Sequence, residues 1–156
     1  MTSSDRYTLV QLLQDFTQAS DRFVEATASH NSMHRRDLSA LSTLMKNERN
    51  GLKLSPSQLS ALLQLSSPAT TAMLDRLERL GYIQRQRRQE DRRGTIINLT
   101  EKAFIEGRSM FLPLSQRLTD VIESYDDQRI CQINEFLSQA IKAVDAAHAE
   151  GQGQDA

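Results

Sequence analysis

The amino-acid sequence predicts a mainly α-helical protein built around a helix-turn-helix that is followed by a two-stranded β-ribbon. Three observations predict this fold. Two serine–proline pairs, at 55–56 and 67–68, start two helices that lie only a few residues apart. After Gly81 the sequence changes to the alternating pattern of strands. The 156 residues include six glycines and three prolines, so little of the chain is left for loops and long helices are expected.

The first two helices are predicted from apolar residues at helical spacing. A helix over 4–30 carries them at mostly three- and four-residue steps. Residues 31–34 interrupt the pattern, and a second helix is predicted over 37–48, where Asn50 and Gly51 end it. Residues 52–54 are expected to form a short strand. The apolar positions of the two helices are Leu9, Leu12, Leu13, Phe16, Phe23, Val24, Leu38, Leu41, Leu44 and Met45.

The third predicted helix, 55–63, has a strong start signal. Ser55 is a capping residue, Pro56 suits the first helical position, and Gln58 completes a capping box with the serine. Only residues 64–66 separate this helix from the next one. A connection of that length is typical of the turn in a helix-turn-helix motif.

The fourth predicted helix, 67–80, repeats the start signal with Ser67 as the cap before Pro68, and Gly81 supplies a left-handed stop. Its two sides differ. The side predicted to be buried holds Thr70, Met73, Leu74 and Leu77, and the opposite side carries Ser67, Ala69, Thr71, Ala72 and Arg76. Apart from Arg76, the side chains on this opposite side are small, so the helix could approach the base edges of a DNA major groove closely.

The ribbon is predicted from strands over 82–88 and 94–99, and its tip is strongly basic. Five arginines fall within nine positions: Arg85, Arg87, Arg88, Arg92 and Arg93. Arginine is favoured in a narrow A·T-rich minor groove because the negative potential is enhanced there. Asp91, two residues before Arg93, can hold that guanidinium in a fixed orientation.

Two long helices complete the chain. Thr100 is expected to cap a fifth helix that reaches about residue 124 and is kinked at Pro113. Asp126 or Asp127 starts a sixth helix, whose apolar stripe is Ile130, Ile133, Leu137, Ile141 and Val144.

The charge of the chain is unevenly distributed. The net charge is −1, but residues 53–102 hold nine Lys and Arg against five Asp and Glu, an electrostatic footprint suited to nucleic acid. No run approaches the roughly 18 apolar residues of a membrane span, and the N-terminus has no secretory pattern. One cysteine is compatible with a reducing compartment, so we expect a cytoplasmic protein.

Two motifs in the middle of the chain resemble those of the MarR family of winged helix-turn-helix transcriptional regulators. Asp91-Arg92-Arg93, followed after five residues by Leu99-Thr100, is similar to the family's D-x-R wing signature and terminal L-T. Leu74-Asp75-Arg76-Leu77-Glu78, followed by Gly81, is similar to the family's LDRLE-x-x-G. The motifs lie within residues 74–100, and the order of the surrounding helices also agrees with the family.

The resemblance implies a fold and a domain organisation. A three-helix core with a β-wing would occupy 35–100, and long N- and C-terminal helices over 4–34 and 101–148 would form a dimerisation region. Residues 149–156 would be a disordered tail. The first, fifth and sixth helices of two subunits would form the base of a homodimer, and the two winged domains would straddle a pseudo-palindromic operator.

The resemblance also implies a function and its residues. We expect a sequence-specific DNA-binding regulator, most simply a repressor, with Arg93 in the minor groove and the fourth helix in the major groove. The expected DNA-contact residues are Ser66, Ser67, Ala69, Thr71, Arg76, Arg88, Arg92 and Arg93, the last oriented by Asp91. In the family, small aromatic or anionic effectors bind between the dimer base and the winged domain. The candidates here are Phe16, Met33, His34, Arg35 and Phe111.

For several of these residues, explanations that involve no contact with DNA or a ligand stay open. Asp75, Glu78 and Arg79 fit a solvated face with ion pairs inside the helix, and Arg85 and Arg87 could simply keep a strand edge soluble. Cys131 is expected to be a buried, inert thiol. His30 and His34 lie across a helix break without a cysteine, so no metal site is expected.

The sequence distinguishes among three functional classes: a DNA-binding regulator, an enzyme and a winged-helix binding module. The sequence has no G-x-S-x-G elbow, phosphate-cradling glycine loop or His-Glu metal motif, so neither enzyme activity nor a cofactor is expected. The alternative to a regulator is a winged-helix module that binds a ligand or a protein and no longer binds DNA.

Overall fold

The computed structural model describes residues 3–87 and 94–152, and it confirms the mainly helical fold. The helices are α1 (Ser3–His30), α2 (Arg35–Arg49), α3 (Pro56–Leu63), α4 (Ser67–Arg79), α5 (Arg108–Ile122) and α6 (Asp127–Gln152). The strands are β1 (Ile83–Arg87) and β2 (Thr95–Leu99), and a π-helical turn over Ala103–Gly107 precedes α5. Among the described residues, no helix has both the length and the apolar content to cross a membrane.

The chain divides into two compact units, with the division between Met110 and Phe111. The core of the first unit lies where α2, α3 and α4 pack together against the ribbon. Burial of large apolar side chains is the main stabilising contribution there. The largest fully buried apolar side chains are Leu38, Leu41, Leu59, Met73, Leu74, Leu77, Ile83 and Ile97.

The capping box predicted for α3 is present. The Gln58 backbone N–H donates to Ser55 Oγ at 3.3 Å, and the Ser55 backbone N–H donates to Gln58 Oε1 at 2.8 Å. The cap predicted for α4 is shifted by one residue. Ser66, with φ −67° and ψ 156°, is the N-cap and accepts from the Ala69 N–H at 3.4 Å. Ser67 is therefore the first helical residue and Pro68 the second. Proline is tolerated there because the N–H groups of the first turn have no partner within the helix.

β1 and β2 pair antiparallel, with Ile83 opposite Leu99 and Arg87 opposite Thr95. Gly81 has φ +81°, which confirms the predicted left-handed stop between α4 and the ribbon. The short strand predicted over 52–54 is wrong. Within the described residues, one backbone bond joins 52–54 to the ribbon, from the Ile97 N–H to the Leu54 carbonyl at 2.9 Å.

The start of the fifth helical segment is as predicted, but its geometry is not. Thr100 Oγ1 accepts from the Ala103 N–H at 3.3 Å, as a helix cap does. The turn that follows is π-helical and ends at Gly107, where α2 comes very close. A Cβ on Gly107 would lie 3.1 Å from Met45 Sδ and 3.3 Å from Leu41 Cδ2, so the glycine permits this approach. Pro113 lies inside α5, downstream of the turn.

The second unit contains most of α5 and the whole of α6. Asp126 caps α6 by accepting from the Arg129 N–H at 2.9 Å. The helix continues to Gln152, so the predicted onset of a disordered tail at 149 is too early, and 153–156 lie outside the described residues. The predicted stripe of α6 is largely exposed in the single chain at Ile133, Leu137, Ile141 and Val144. Cys131 is also exposed, so the expectation of a buried thiol is wrong for the single chain.

Candidate nucleic-acid interface

The two sides of α4 are divided as the sequence predicts. Its inner side buries Thr70, Met73, Leu74 and Leu77, and this burial fixes which residues face outward. Four of the predicted DNA-contact residues lie together in the cap and first turns of the helix: Ser66, Ser67, Ala69 and Thr71. Ala69 is half-buried, and the other three are exposed.

A pocket of about 570 Å³, lined by many hydroxyl groups, adjoins the N-terminal end of α4. It joins the starts of α3, α4 and β2, and its lining residues are Ser55, Pro56, Ser57, Ser60, Ser67, Thr70, Thr71, Gly94 and Thr95. Serine and threonine hydroxyls can donate to phosphate oxygens or exchange hydrogen bonds with base edges. The geometry is therefore compatible with a nucleic-acid backbone that passes between the helix-turn-helix and the ribbon.

Arg76 lies on α4, but the structure commits its guanidinium to another part of the protein. Its Nε and Nη2 donate to the two carboxylate oxygens of Asp37 on α2, at 2.9 and 2.6 Å. Asp37 is 1% exposed, whereas the Arg76 side chain is 29% exposed. A buried carboxylate requires a partner of this kind. The hydrogen bonds that Arg76 donates to Asp37 raise the pKa of Arg76.

This ion pair limits what Arg76 can do at a DNA surface. Asp37 occupies the Nε–Nη2 edge of the guanidinium, one of the edges that can make a bidentate contact. While the pair is intact, Arg76 could reach guanine only through Nη1 and the second N–H of Nη2, from a position that Asp37 fixes. Sequence reasoning missed Asp37, although a signal was available: Asp37 falls on the apolar face of α2, four residues before Leu41 and seven before Leu44.

Arg85 of β1 forms a second set of ion pairs with α4. Its Nη2 donates to Glu78 Oε2 and to Asp75 Oδ1, both at 2.6 Å, and its Nε donates to Glu78 Oε2 at 3.0 Å. Asp75 and Glu78 thus pair with the ribbon, which corrects the expectation of ion pairs within the helix. The backbone and side-chain bonds from Arg85 lower the pKa of Glu78, and the bonds to Glu78 and Asp75 raise the pKa of Arg85.

The opposite side of the ribbon contributes a cation that the sequence reasoning did not single out. Lys53 Nζ donates to Asn98 Oδ1 at 2.9 Å, and Asn98 Nδ2 donates to Gln86 Oε1 at 3.0 Å. Arg87, at the end of β1, is exposed. The predicted wing-tip residues Arg88, Asp91, Arg92 and Arg93 lie outside the described residues, so their roles stay predictions.

The five predicted effector residues occupy different environments. Phe16 on α1 is 55% exposed, Met33 is 8% exposed, and His34 is an exposed residue at the start of α2. The guanidinium of Arg35 bonds to Asp21, which links α2 to α1. Phe111 belongs to the second unit. A common cavity for these residues stays a prediction.

Over the ranges 3–87 and 94–152, no group of three or more His, Cys, Asp or Glu side chains has an arrangement that could hold a metal ion.

Comparison with known proteins relates both the sequence and the fold to transcriptional regulators. Residues 32–94 match a family model described as the MarR family. The chain is 28% identical over 133 residues to the uncharacterized HTH-type transcriptional regulator YcgE of Bacillus subtilis, covering 85% of this chain and 84% of the relative. It is 26% identical over 124 residues to the HTH-type transcriptional regulator PecS of Dickeya dadantii, covering 78% and 73%.

Solved structures show the same fold at lower sequence identity. A MarR family protein from Bacillus stearothermophilus superposes with a TM-score of 0.70 at 22% identity, covering 92% of this chain and 98% of that structure. S. aureus MepR in a DNA-binding conformation gives a TM-score of 0.70 at 15% identity, covering 87% and 98%. The winged helix-turn-helix architecture predicted from the sequence is thereby confirmed.

Proposed function

We propose that this chain is a repressor of the MarR family of winged helix-turn-helix transcriptional regulators, to whose members its sequence and fold are similar, and that it binds a pseudo-palindromic DNA operator as a homodimer. The relatives are regulators rather than enzymes, in agreement with the absence of a catalytic motif in the sequence. A repressor acts where the DNA is, so we place the protein in the cytoplasm.

The observation that carries the proposal is the outer side of α4. Residues 66–72 are small or hydroxyl-bearing, and all of them lie within the described part of the chain. A major groove about 12 Å wide admits a helix, and short side chains let the helix axis approach the base edges. In this arrangement Ser66, Ser67, Ala69 and Thr71 contact the major groove, and the wing-tip arginines Arg88, Arg92 and Arg93 contact the adjacent minor groove.

Exposed apolar side chains support the homodimer. On α6, Ile133, Leu137, Ile141 and Val144 are exposed at helical spacing, and α1 exposes a further set. The exposed set on α1 is Tyr7, Leu9, Val10, Leu12 and Phe16. Soluble monomers seldom expose large contiguous apolar patches. A two-fold symmetric dimer would present two copies of α4 to half-sites about one helical turn apart.

We propose that release from DNA is controlled by a small aromatic or anionic molecule, as in the family. Its contacts would come from Phe16, Met33, His34, Arg35 and Phe111. Arg35 is the one cation of this set, and it would have to exchange its bond with Asp21 for one with an anionic ligand.

The proposal is tested by selecting duplexes from a random-sequence library with the purified chain and sequencing those that are retained. We expect an enriched inverted repeat whose half-sites have centres roughly 10–10.5 base pairs apart, or a multiple of that spacing. Retention without a shared sequence, or no retention, would contradict a sequence-specific dimeric regulator.

One observation favours a second candidate function, a winged-helix module that does not bind DNA. The strongest potential base-reading side chain on α4, Arg76, is held by Asp37. The exposed side of residues 66–72 then offers only neutral groups for readout. The same selection separates the candidates, because a module without DNA affinity would enrich no duplex at any ionic strength.

A further inference from the structure

We propose that the contact of Arg85 with Glu78 and Asp75, named here the wing clamp, is a positioning device that sets the direction of the wing relative to the recognition helix α4. It determines whether the wing tip reaches the minor groove while α4 lies in the major groove. This inference rests on the proposed DNA-binding function, but part of its test is independent of DNA.

The wing clamp fixes the strand as well as the side chain. Arg85 lies opposite Ile97 in the ribbon, and its backbone N–H donates to Glu78 Oε1 at 2.9 Å rather than to β2. Glu78 therefore occupies a donor on the outer edge of β1 with one carboxylate oxygen. Its other oxygen accepts from Arg85 Nε and Nη2. One carboxylate thus restrains both the position of the strand and the rotation of the arginine.

The second edge of the ribbon is held by the main chain. The Ile97 N–H points outward from β2 and donates to the Leu54 carbonyl at 2.9 Å. The two restraints lie at the same level of the ribbon, because Arg85 and Ile97 are direct partners. An isolated two-stranded ribbon is marginally stable in water at best. Attachment at both edges therefore defines how the ribbon leaves the helical core.

The clamp is close in sequence to the predicted DNA contacts on both sides. Asp75 and Glu78 lie on α4, and Arg85 precedes the basic tip, which begins at Arg87 and Arg88. A small rotation of the ribbon at Arg85 would be amplified at its tip. Holding the ribbon in its bound direction reduces the ordering cost of binding, which is the general basis of preorganisation. Arg85 is thus a positioning residue with no contact to DNA required.

The Glu78→Gln variant is the sharpest probe of the clamp. An amide keeps the shape of the side chain, but its NH₂ end must face either the guanidinium or the backbone N–H of Arg85, both of which are donors, and the negative charge is lost. Glu101→Gln is the matched control, since it neutralises an exposed carboxylate that follows β2 and is outside the clamp. Circular dichroism and thermal unfolding of both variants verify that the fold is retained.

The DNA measurement uses a duplex selected from the random library by the wild-type chain. Hydroxyl-radical footprinting reports on the minor groove, and guanine N7 methylation reports on the major groove. In Glu78→Gln we expect the minor-groove protection at the flanks to be lost, the major-groove protection to be kept, and the affinity to fall by at least about threefold. Glu101→Gln should match the wild type. An unchanged flanking footprint in Glu78→Gln would overturn the inference.

Charge reversal tests whether the two side chains act through each other. Glu78→Lys and Arg85→Glu should each lose the flanking protection, and the double variant should recover part of it, because the ion pair is re-formed with opposite polarity. A double variant with additive losses in affinity would contradict the clamp.

Hydrogen exchange without DNA separates this inference from the proposed function. In Glu78→Gln the amide of Arg85 and its neighbours in the ribbon should exchange faster, while amides in the middle of α4 keep their wild-type rates. Equal exchange in both proteins would refute the clamp even if operator binding is found. Faster ribbon exchange with no duplex selected by the wild type would instead refute the regulator proposal and leave the clamp without its role at DNA.

Discussion

Asp37 and Arg76 show how one buried carboxylate changes the function expected of a whole helix face. The sequence offers Arg76 as a reader of DNA, yet its fork is bonded to a carboxylate that is 1% exposed. The two residues are 39 positions apart in the chain, so no local pattern joins them. The pair connects α2 to α4 and holds α4 on the core.

The two partners of this pair should differ in their effect on stability. Arg76→Ala leaves the Asp37 carboxylate buried and uncompensated, a loss that costs about 3–5 kcal/mol. Asp37→Asn removes the buried charge and leaves an arginine that can reach water, so it should cost less, about 1–3 kcal/mol. Urea unfolding of both variants measures the difference. An Asp37→Asn variant that is destabilised more than Arg76→Ala would contradict this assignment of burial.

Glu78 should make stability depend on pH in acid. Its pKa is lowered in the folded protein by the bonds from Arg85, whereas in the unfolded chain it is about 4.3. The folded state then binds fewer protons, so the contribution of Glu78 is complete above the unfolded pKa and is lost as the pH falls through the folded pKa. The advantage of the wild type over Glu78→Gln in unfolding free energy should shrink between about pH 6 and pH 3. A constant difference across that range would show that the carboxylate charge is not responsible.

At the scale of elements, the local signals determine where helices begin, and the contacts between elements determine how they continue. The capping box of α3, the stop at Gly81 and the inner side of α4 could be predicted because each depends on residues within one or two turns. The π-helical turn could not be predicted. It depends on the approach of Gly107 to Leu41 and Met45, which are more than sixty positions earlier.

Two adjacent serines, Ser66 and Ser67, are both suitable by residue type as the N-cap of α4. Ser66 accepts from the Ala69 N–H, whereas Ser67 lies inside the helix. We expect Ser66→Ala to destabilise the protein by about 1 kcal/mol. The matched variant Ser67→Ala should be neutral or slightly stabilising, since Ser67 lies inside the helix and alanine has the higher helix propensity. Thermal unfolding compares the two. A larger loss for Ser67→Ala would restore the cap predicted from the sequence.

In the candidate interface, too, some features depend on residues close in sequence and others depend on the packing of separate elements. Ser66, Ser67, Ala69 and Thr71 follow from helical periodicity, and the structure brings them together at one end of α4. The partners of Asp75 and Glu78 do not follow from periodicity, because intrahelical pairs and pairs to a strand have the same sequence pattern. Arg85 can be identified as the partner of both carboxylates only when the direction of β1 is known.

At the scale of the whole molecule, the proposed function depends on the association of two chains. The apolar stripe of α6 is exposed in the single chain, and a dimer would remove it from water. The stripe can be predicted from the helical spacing of its apolar residues, but the surface that would cover it cannot be identified from the sequence pattern. The resemblance to the MarR family supplies a second copy of the chain as that surface.

The stripe can be tested by placing charge in it. The double variant Ile141→Asp with Val144→Asp should dissociate the dimer at micromolar concentration, because two carboxylates would have to be buried without partners. The control is Ser138→Asp with Gln139→Asp, which adds the same charge to residues of α6 outside the stripe. Sedimentation velocity measures the mass of each. A dimeric stripe variant, or a dissociated control, would contradict the proposed interface.

The central claim is that two copies of this chain read one DNA duplex through α4 and a basic wing. The most direct measurement titrates the selected duplex with the chain at several salt concentrations and determines both stoichiometry and affinity. We expect two chains per duplex, loss of binding when one half-site is scrambled, and an affinity that falls steeply with salt because several phosphate contacts release counterions. One chain per duplex, or an affinity that is independent of salt, would contradict this claim.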